Sequence, residues 1–204
     1  TRLTNEEVAE RVAEVTRITP EGQVVITGEI NEEMLEIAGQ YKPAGVTKDG
    51  RGVLDEYYTN SQIVDVVKSL FNFPAGNIKV LEPAVGTGNF LYALPEAGNH
   101  TVVSHEINET TARIAKIFHQ NAKVYTTSFE QNFIDERGNA KEFTADYDLV
   151  IGNPPYGEHR GKYLGLGEEK GITKYEDYFI KRGLDVLKDG GTLAMVVPSG
   201  FLNR

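Results

Sequence analysis

The segment Asn153-Pro154-Pro155-Tyr156 carries the most chemistry in this sequence. It follows the apolar run Leu149–Ile151 and so stands at the end of an expected strand. Two consecutive prolines fix the backbone, which holds the Asn153 amide and the Pro154 carbonyl in one rigid frame. Two acceptors side by side suit an amino group that has two hydrogens to donate. Tyr156 adds a flat apolar face on which a planar ring can stack. A plain strand-ending turn is the simpler reading of the same four residues.

Two further segments precede it, each also at an expected strand end. In Leu81-Glu82-Pro83-Ala84-Val85-Gly86-Thr87-Gly88-Asn89-Phe90, the glycines let backbone pass close to a ligand and turn sharply into a helix. The dinucleotide fingerprint requires a third glycine at position 91, where Leu91 stands, so a bound pyrophosphate and a dehydrogenase are both disfavoured. Glu106 closes the next apolar run. A carboxylate there can accept both hydroxyl hydrogens of a ribose, or it can simply favour the start of the following helix. Taken singly, each segment has a structural explanation. The order of all three along the chain favours a ligand site.

These residues need a scaffold that brings strand ends together. Residues 4–19 are expected as a helix, with Thr4 and Asn5 as caps and Val8, Val12, Val15 and Ile18 on one face. Pro20-Glu21-Gly22 reads as a turn, Gln23–Thr27 as a short strand, and Asn31–Gln40 as a helix capped by Asn31. Residues 42–52 read as a linker or open loop. A helix over Ser61–Phe71 would bury Ile63, Val64, Val67 and Leu70. From residue 77, strands at Ile78–Leu81, Thr101–His105, Val124–Thr126, Tyr147–Ile151 and Thr192–Val197 alternate with helices. Those helices are Asn89–Ala97, Asn108–Asn121 and Tyr175–Leu187, the last closed by Gly190-Gly191; Ile107, Ala112, Ile114, Ala115 and Phe118 are available for the inner side of the middle one. The pattern implies an α/β fold with a doubly wound, mostly parallel sheet. Such sheets bind ligands at the carboxyl ends of their strands. The expected division is a mostly helical N-terminal extension, residues 1–52, and a catalytic domain, residues 53–204.

Composition narrows the chemistry. With no Cys among 204 residues, a disulfide scaffold, a thiolate zinc site and a cysteine nucleophile are excluded. His100, His105, His119 and His159 lack metal-site spacing, so no metal is expected. No run approaches the roughly 18 apolar residues of a membrane-spanning helix. The acidic, amphipathic N-terminus is not a secretory signal, and a cytoplasmic setting is expected. The absence of an initial Met marks the chain as an expected piece of a longer protein. Net charge is −9, and residues 1–50 hold 10 acidic against 5 basic residues. This balance offers little general attraction for a phosphate backbone. The segment 157–174 has five glycines with Arg160, Lys162, Lys170 and Lys174; it is expected to be mobile without substrate and able to meet phosphates.

Glu82–Phe90 and Asn153–Tyr156 together resemble two motifs of the amino-group DNA methyltransferases, (D/E)PxxGxGxF and NPPY. The similarity is to the N6-adenine group, in which the cofactor motif precedes the catalytic one, as in restriction-modification enzymes. Tyr57-Tyr58-Thr59-Asn60 is similar to an upstream motif that usually ends in Thr-Pro, and Tyr175–Leu202 also has the family's character. The resemblance covers roughly residues 53–204. It implies a Rossmann-like class I methyltransferase fold and S-adenosyl-L-methionine as cofactor. By the resemblance, Tyr57, Tyr58 and Thr59 contact the methionine end of the cofactor. Glu82, Ala84 and Gly86 wrap it, Gly88 permits close approach, and Glu106, with Ile107 beside it, holds the ribose. The third motif usually pairs Asp with Phe for the cofactor's adenine; here Ser128-Phe129 stands, with Phe129 expected to stack.

The resemblance further implies transfer of a methyl group to the N6 amine of an adenine flipped out of double-stranded DNA. Asn153 and the Pro154 carbonyl would accept the amine's hydrogens, with Pro155 stiffening the frame and Tyr156 stacking on the base. The same frame serves methyl transfer to protein glutamine or to guanine N2 in ribosomal RNA, and a non-catalytic cofactor-binding subunit is a further alternative. The family's catalytic domain normally continues into two more strands and a target-recognition domain, sometimes with a nuclease or helicase. Residues 1–204 alone are therefore expected to be a weak or inactive enzyme.

Overall fold

The computed structural model describes residues 2–42, 61–70, 76–94, 100–157 and 172–203. The chain opens with helix α1 (Asn5–Glu14), whose N-cap Thr4 accepts from the Glu7 N–H while the Glu7 side chain accepts from the Thr4 N–H. This reciprocal capping box satisfies two otherwise orphaned donors. The helix stops at Glu14 and does not run to residue 19 as expected. The following stretch, rich in β-branched Val15, Thr16, Ile18 and Thr19, favours extended backbone. It forms β1 (Thr16–Ile18), antiparallel to β2 (Val24–Ile26). Their connection is the turn Pro20-Glu21-Gly22, with Gly22 at φ 87° and its N–H bonded to the Thr19 carbonyl at 2.8 Å. A three-residue hairpin loop needs such a left-handed residue in its last position. Helix α2 (Glu32–Gly39) follows, capped by Asn31.

Helix α3 (Ser61–Leu70) buries Val64 but leaves Leu70 73% exposed, against the expectation that Leu70 is core. Then come β3 (Ile78–Glu82), β4 (His100–His105), α4 (Glu109–Phe118), β5 (Lys123–Tyr125), β6 (Tyr147–Gly152), α5 (Tyr175–Asp185) and β7 (Leu187–Met195). The five strands form one parallel sheet in the order β5-β4-β3-β6-β7. The chain thus winds outward from β3 in one direction, then returns to wind in the other. A crevice at the switch point between β3 and β6 is where such sheets take ligands.

Two connections differ from expectation. Residues Asn89–Ala93 form a short 3-10 helix in place of an α-helix to Ala97. Helix α5 ends at Asp185, and β7 begins at Leu187. Gly190-Gly191 lies inside that strand, where the register with β6 jumps from Tyr147↔Leu187 to Leu149↔Thr192. A Cβ on Gly191 would meet the Lys188 and Asp148 carbonyls at 3.0 and 3.2 Å, so the irregularity requires glycine.

Alternation along the strands builds a core on each side of the sheet. Val80 and Ile151 pack with Val64 of α3 and with Ala112 and Ala115 of α4. Leu81 and Val150 pack on the other side with Tyr178 and Phe179 of α5 and with Phe129 and Phe133. Ile114 and Ile117, on the opposite flank of α4, join a third cluster with Val8, Val12, Met34 and Ile37. Helix α4 is therefore apolar on both flanks because the N-terminal helices cover the side that would otherwise face solvent. Ile107 precedes this helix and is 58% exposed, so it does not join the helix's inner side. The linker 42–52 except its first residue, and the glycine-rich segment 157–174 except its ends, lie outside the described residues.

Candidate active site

Strand β3 delivers Glu82 to the switch point. Its side chain is 1% exposed, and Oε1 accepts the Ala84 N–H at 3.0 Å. Burial pushes this carboxyl up to about 8; the Ala84 hydrogen bond opposes that shift, and the neighbouring Glu106 charge adds to it. The turn after it carries Gly86 at φ 57° and Gly88 at φ 93°, a region costly for other residues. A Cβ on Gly86 would meet nothing within 4 Å, which leaves open space beside the backbone for a ligand. A Cβ on Gly88 would lie 2.5 Å from His119 Cδ2, so that side of the turn is already filled by protein.

Glu106, at the end of β4, is buried, and its Oε2 accepts the Asn108 N–H at 2.8 Å. The carboxylate therefore braces the cap of α4 as well as standing at the strand end. The Val85 N–H donates to the His105 carbonyl at 2.9 Å, which ties the glycine turn to β4. Burial keeps Glu82 protonated below about pH 8, and Glu106 stands beside it at the end of the adjacent strand.

At the end of β6, Gly152 leads into Asn153–Tyr156. The Tyr156 hydroxyl donates toward Asn153 Oδ1 at 2.7 Å and the Val196 carbonyl at 2.8 Å, its single proton shared between them. The Val196 N–H donates to the Gly152 carbonyl at 3.0 Å. Gly157, at φ 106°, donates its N–H to Glu176 Oε2 at 3.0 Å and accepts the Tyr175 N–H at 2.8 Å. The turn is thus fixed at its start and middle by the chain after β7, and at its end by α5. No hydrogen bond among the described residues reaches the Pro154 carbonyl.

The structure brings Glu82, Ala84, Gly86, Gly88, Glu106 and Asn153–Tyr156 to one edge of the sheet. Ser128 lies on the same edge, after β5, as the N-cap of a short 3-10 helix (Phe129–Asn132). Phe129 differs from expectation. Its ring is 2% exposed, stacked on Phe179 with centroids 5.6 Å apart and edge-on to Phe133, so it offers no open stacking face. Tyr57, Tyr58 and Thr59 lie outside the described residues.

Two residues that the sequence did not single out hold this site together. A Cβ on Gly152 would clash with Glu82 Oε1, so the start of the Asn153–Tyr156 turn and the glycine turn touch there directly. A glycine inside a strand marks a close backbone approach, a signal available in the sequence. Glu176 is 2% exposed; in sequence it reads only as an acid in a helix's first turn, and nothing there reveals its partner. Replacing Glu176 by Ala removes a hydrogen bond to a charged acceptor, worth about 1.5–3 kcal/mol. The expected result is an overall activity lowered by about 10- to 100-fold, with Glu176→Gln recovering most of it because an amide oxygen still accepts. Steady-state kinetics on the three proteins check this.

The buried Glu82 also sets a pH dependence. Its folded-state value lies above its unfolded value of 4.5, so the folded protein holds the extra proton. That contribution is complete below about pH 4.5 and is lost as pH rises through about 8. Denaturant unfolding of wild type and Glu82→Gln should show the wild type losing stability relative to the variant across that window. A constant difference would mean that Glu82 titrates normally.

Residues 59–204 match the family model of the Eco57I restriction-modification methylase. The chain belongs to this family. Among relatives of the chain, the defense against restriction protein B of Escherichia phage P1 is 30% identical over 168 residues, covering 78% of this chain and 7% of that protein. The type II methyltransferase M.TthHB8I of Thermus thermophilus is 32% identical over 173 residues, covering 76% and 37%. The chain therefore spans well under two thirds of the length of these relatives. A solved structure from Listeria monocytogenes, of a protein assigned to the class I S-adenosylmethionine-dependent methyltransferases, covers 99% of the chain and 56% of its own at a TM-score of 0.61 and 17% identity. The fold is that of the class I methyltransferases. No helix among the described residues is long and apolar enough to cross a membrane.

Proposed function

We propose that this chain is the catalytic part of an S-adenosyl-L-methionine-dependent DNA methyltransferase that acts on the exocyclic N6 amine of adenine. The observation that carries the reading is the Asn153–Tyr156 turn, clamped at both ends and seated against Glu82 at the switch point of the sheet. The residues present fit the cofactor. Gly86 leaves room along the backbone, and Glu106 stands at the end of β4, where a carboxylate can accept ribose hydroxyls. When bound, the cofactor supplies an activated methyl group on a sulfonium.

The protein's part is orientation and electrostatic stabilisation. Asn153 Oδ1 and the Pro154 carbonyl accept the two hydrogens of the target amine, which localises its lone pair and directs it. Pro155 keeps the two acceptors from moving apart, and the ring of Tyr156 stacks on the base. Because the amine lies inside the duplex, the target base is flipped out, which costs a few kcal/mol. Glu106 holds the ribose, with Glu82, Ala84, Gly88, Ile107 and Ser128 around the remainder of the cofactor. Residues 53–204 form the catalytic domain and 1–52 an extension. Double-stranded DNA as substrate, a cytoplasmic setting, and a recognition domain, nuclease or helicase in the longer protein belong to the same reading.

The test is a labelled-methyl transfer assay with the full-length protein on duplex DNA, followed by nucleoside analysis. N6-methyladenine is the expected product. Label in cytosine, in ribosomal RNA or in a glutamine peptide, or no transfer at all, overturns the assignment. The ribose contact has its own check. Glu106→Ala removes charge-assisted hydrogen bonds worth about 1.5–3 kcal/mol each. Calorimetry should show cofactor affinity falling by at least about ten-fold; equal binding by the two proteins would place the cofactor elsewhere.

A further inference from the structure

The N-terminal hairpin reaches the same edge of the sheet as the site. Gly22, in its turn, offers one carbonyl that accepts both the Thr126 N–H at 2.7 Å and the Thr126 hydroxyl at 3.0 Å. Gln23 also bridges antiparallel to Tyr125, so the hairpin continues the sheet beyond β5. The approach is close. A Cβ on Gly22 would lie 2.9 Å from Thr127 Cγ2 and 3.2 Å from Thr126 Oγ1, and φ at Gly22 is 87°. From the other side, His105 Nδ1 lies 3.0 Å from the Thr127 carbonyl. Burial holds that imidazole down near 4, so it is neutral and donates the bond. The loop 126–128 is therefore gripped between β4 and a segment outside the family match at 59–204. It is also next to the ribose acid, since the Glu106 N–H donates to the Tyr125 carbonyl at 2.9 Å.

We propose that the Pro20-Glu21-Gly22 turn is a positioning element of the cofactor site, which sets the loop 126–128 against the cofactor's adenosine end. The inference rests on the cofactor reading above and gives a role to the N-terminal extension. The hairpin is itself anchored away from the loop, by Arg113 Nη1 donating to Thr16 Oγ1 at 2.8 Å and to the Thr16 carbonyl at 3.2 Å. Two routes therefore reach the loop through the hairpin. One acts at the contact, and the other acts at the anchor without touching loop or cofactor.

Gly22→Ala places a Cβ against Thr127 on backbone that disfavours it, and the loop must shift to relieve the clash. In the full-length protein the expected result is an about ten-fold rise in the KM and calorimetric Kd for S-adenosylmethionine, with kcat at saturating cofactor and the KM for DNA within about two-fold of wild type. Thr127→Ser removes the clashing methyl, so the double variant Gly22→Ala/Thr127→Ser should bind better than the sum of the two single effects predicts. Arg113→Met should weaken cofactor binding with the same kinetic signature, which keeps the test available if Gly22→Ala does not fold. A merely structural hairpin would lower the melting temperature in both variants and leave Kd unchanged, and that result overturns the inference. Wild-type protein that fails to bind S-adenosylmethionine overturns the cofactor reading on which it stands.

Discussion

Asn153→Ala in the full-length protein should reduce methyl transfer by on the order of 10²–10³-fold, the usual cost of deleting one group from a preorganised electrostatic frame. Cofactor affinity should stay nearly unchanged, because in the proposed roles the Asn153 side chain serves the target amine and not the cofactor; its Oδ1 accepts the Tyr156 hydroxyl. The Tyr156 proton would pass wholly to the Val196 carbonyl, so the ring keeps one of its two tethers. Single-turnover transfer and cofactor calorimetry on the same preparation separate the two effects. Lost cofactor affinity with transfer retained would reverse the assignment of the two turns.

Gly152→Ala should be equally damaging for a different reason. Its new methyl would sit 2.4 Å from Glu82 Oε1 and 3.0 Å from the Glu82 carboxyl carbon. The acid cannot swing aside freely, since it is fully buried and already accepts the Ala84 N–H. Overpacking of this kind costs about 1–3 kcal/mol. Here the displaced groups are the start of the Asn153–Tyr156 turn and the first acid of the glycine turn. Cofactor binding and transfer should therefore fall together, in contrast to Asn153→Ala. Shortening the acid with Glu82→Asp should recover part of the cofactor affinity of the Gly152→Ala protein. If Gly152→Ala binds cofactor and transfers methyl at wild-type levels, the two turns are not mechanically joined. Melting curves of both proteins show whether the loss is local or global.

Much of the frame was legible in the amino-acid sequence. The central strands β3 and β6 announced themselves as short apolar runs, because a strand buried on both faces has no polar side to interrupt it. The ends of the expected strands placed Glu82, Glu106 and Asn153 correctly, since a parallel sheet brings all its carboxyl ends to one edge. Two caps were equally readable: Thr4 and Asn31 act through bonds to backbone three residues away. What failed was local in sequence but decided by distant partners. Residues 15–19 carry a helical spacing, yet pairing with Val24–Ile26 and docking of Thr16 on Arg113 make them a strand.

Phe129 fits a stacking motif by position, yet the tertiary packing of Phe133 and Phe179 claims its faces. Gly152 against Glu82, Glu176 against Gly157, and Gly22 against Thr126 join residues 19 to 104 positions apart. No periodicity or spacing encodes such pairs. Hydropathy patterns and caps report what each segment prefers on its own, so the sequence by itself determined the central strands of the sheet and the order of the turns at their ends. Which glycines are obligatory, which buried acid braces the catalytic turn, and what the N-terminal hairpin touches depend on close approach between segments, and only the folded chain decides that.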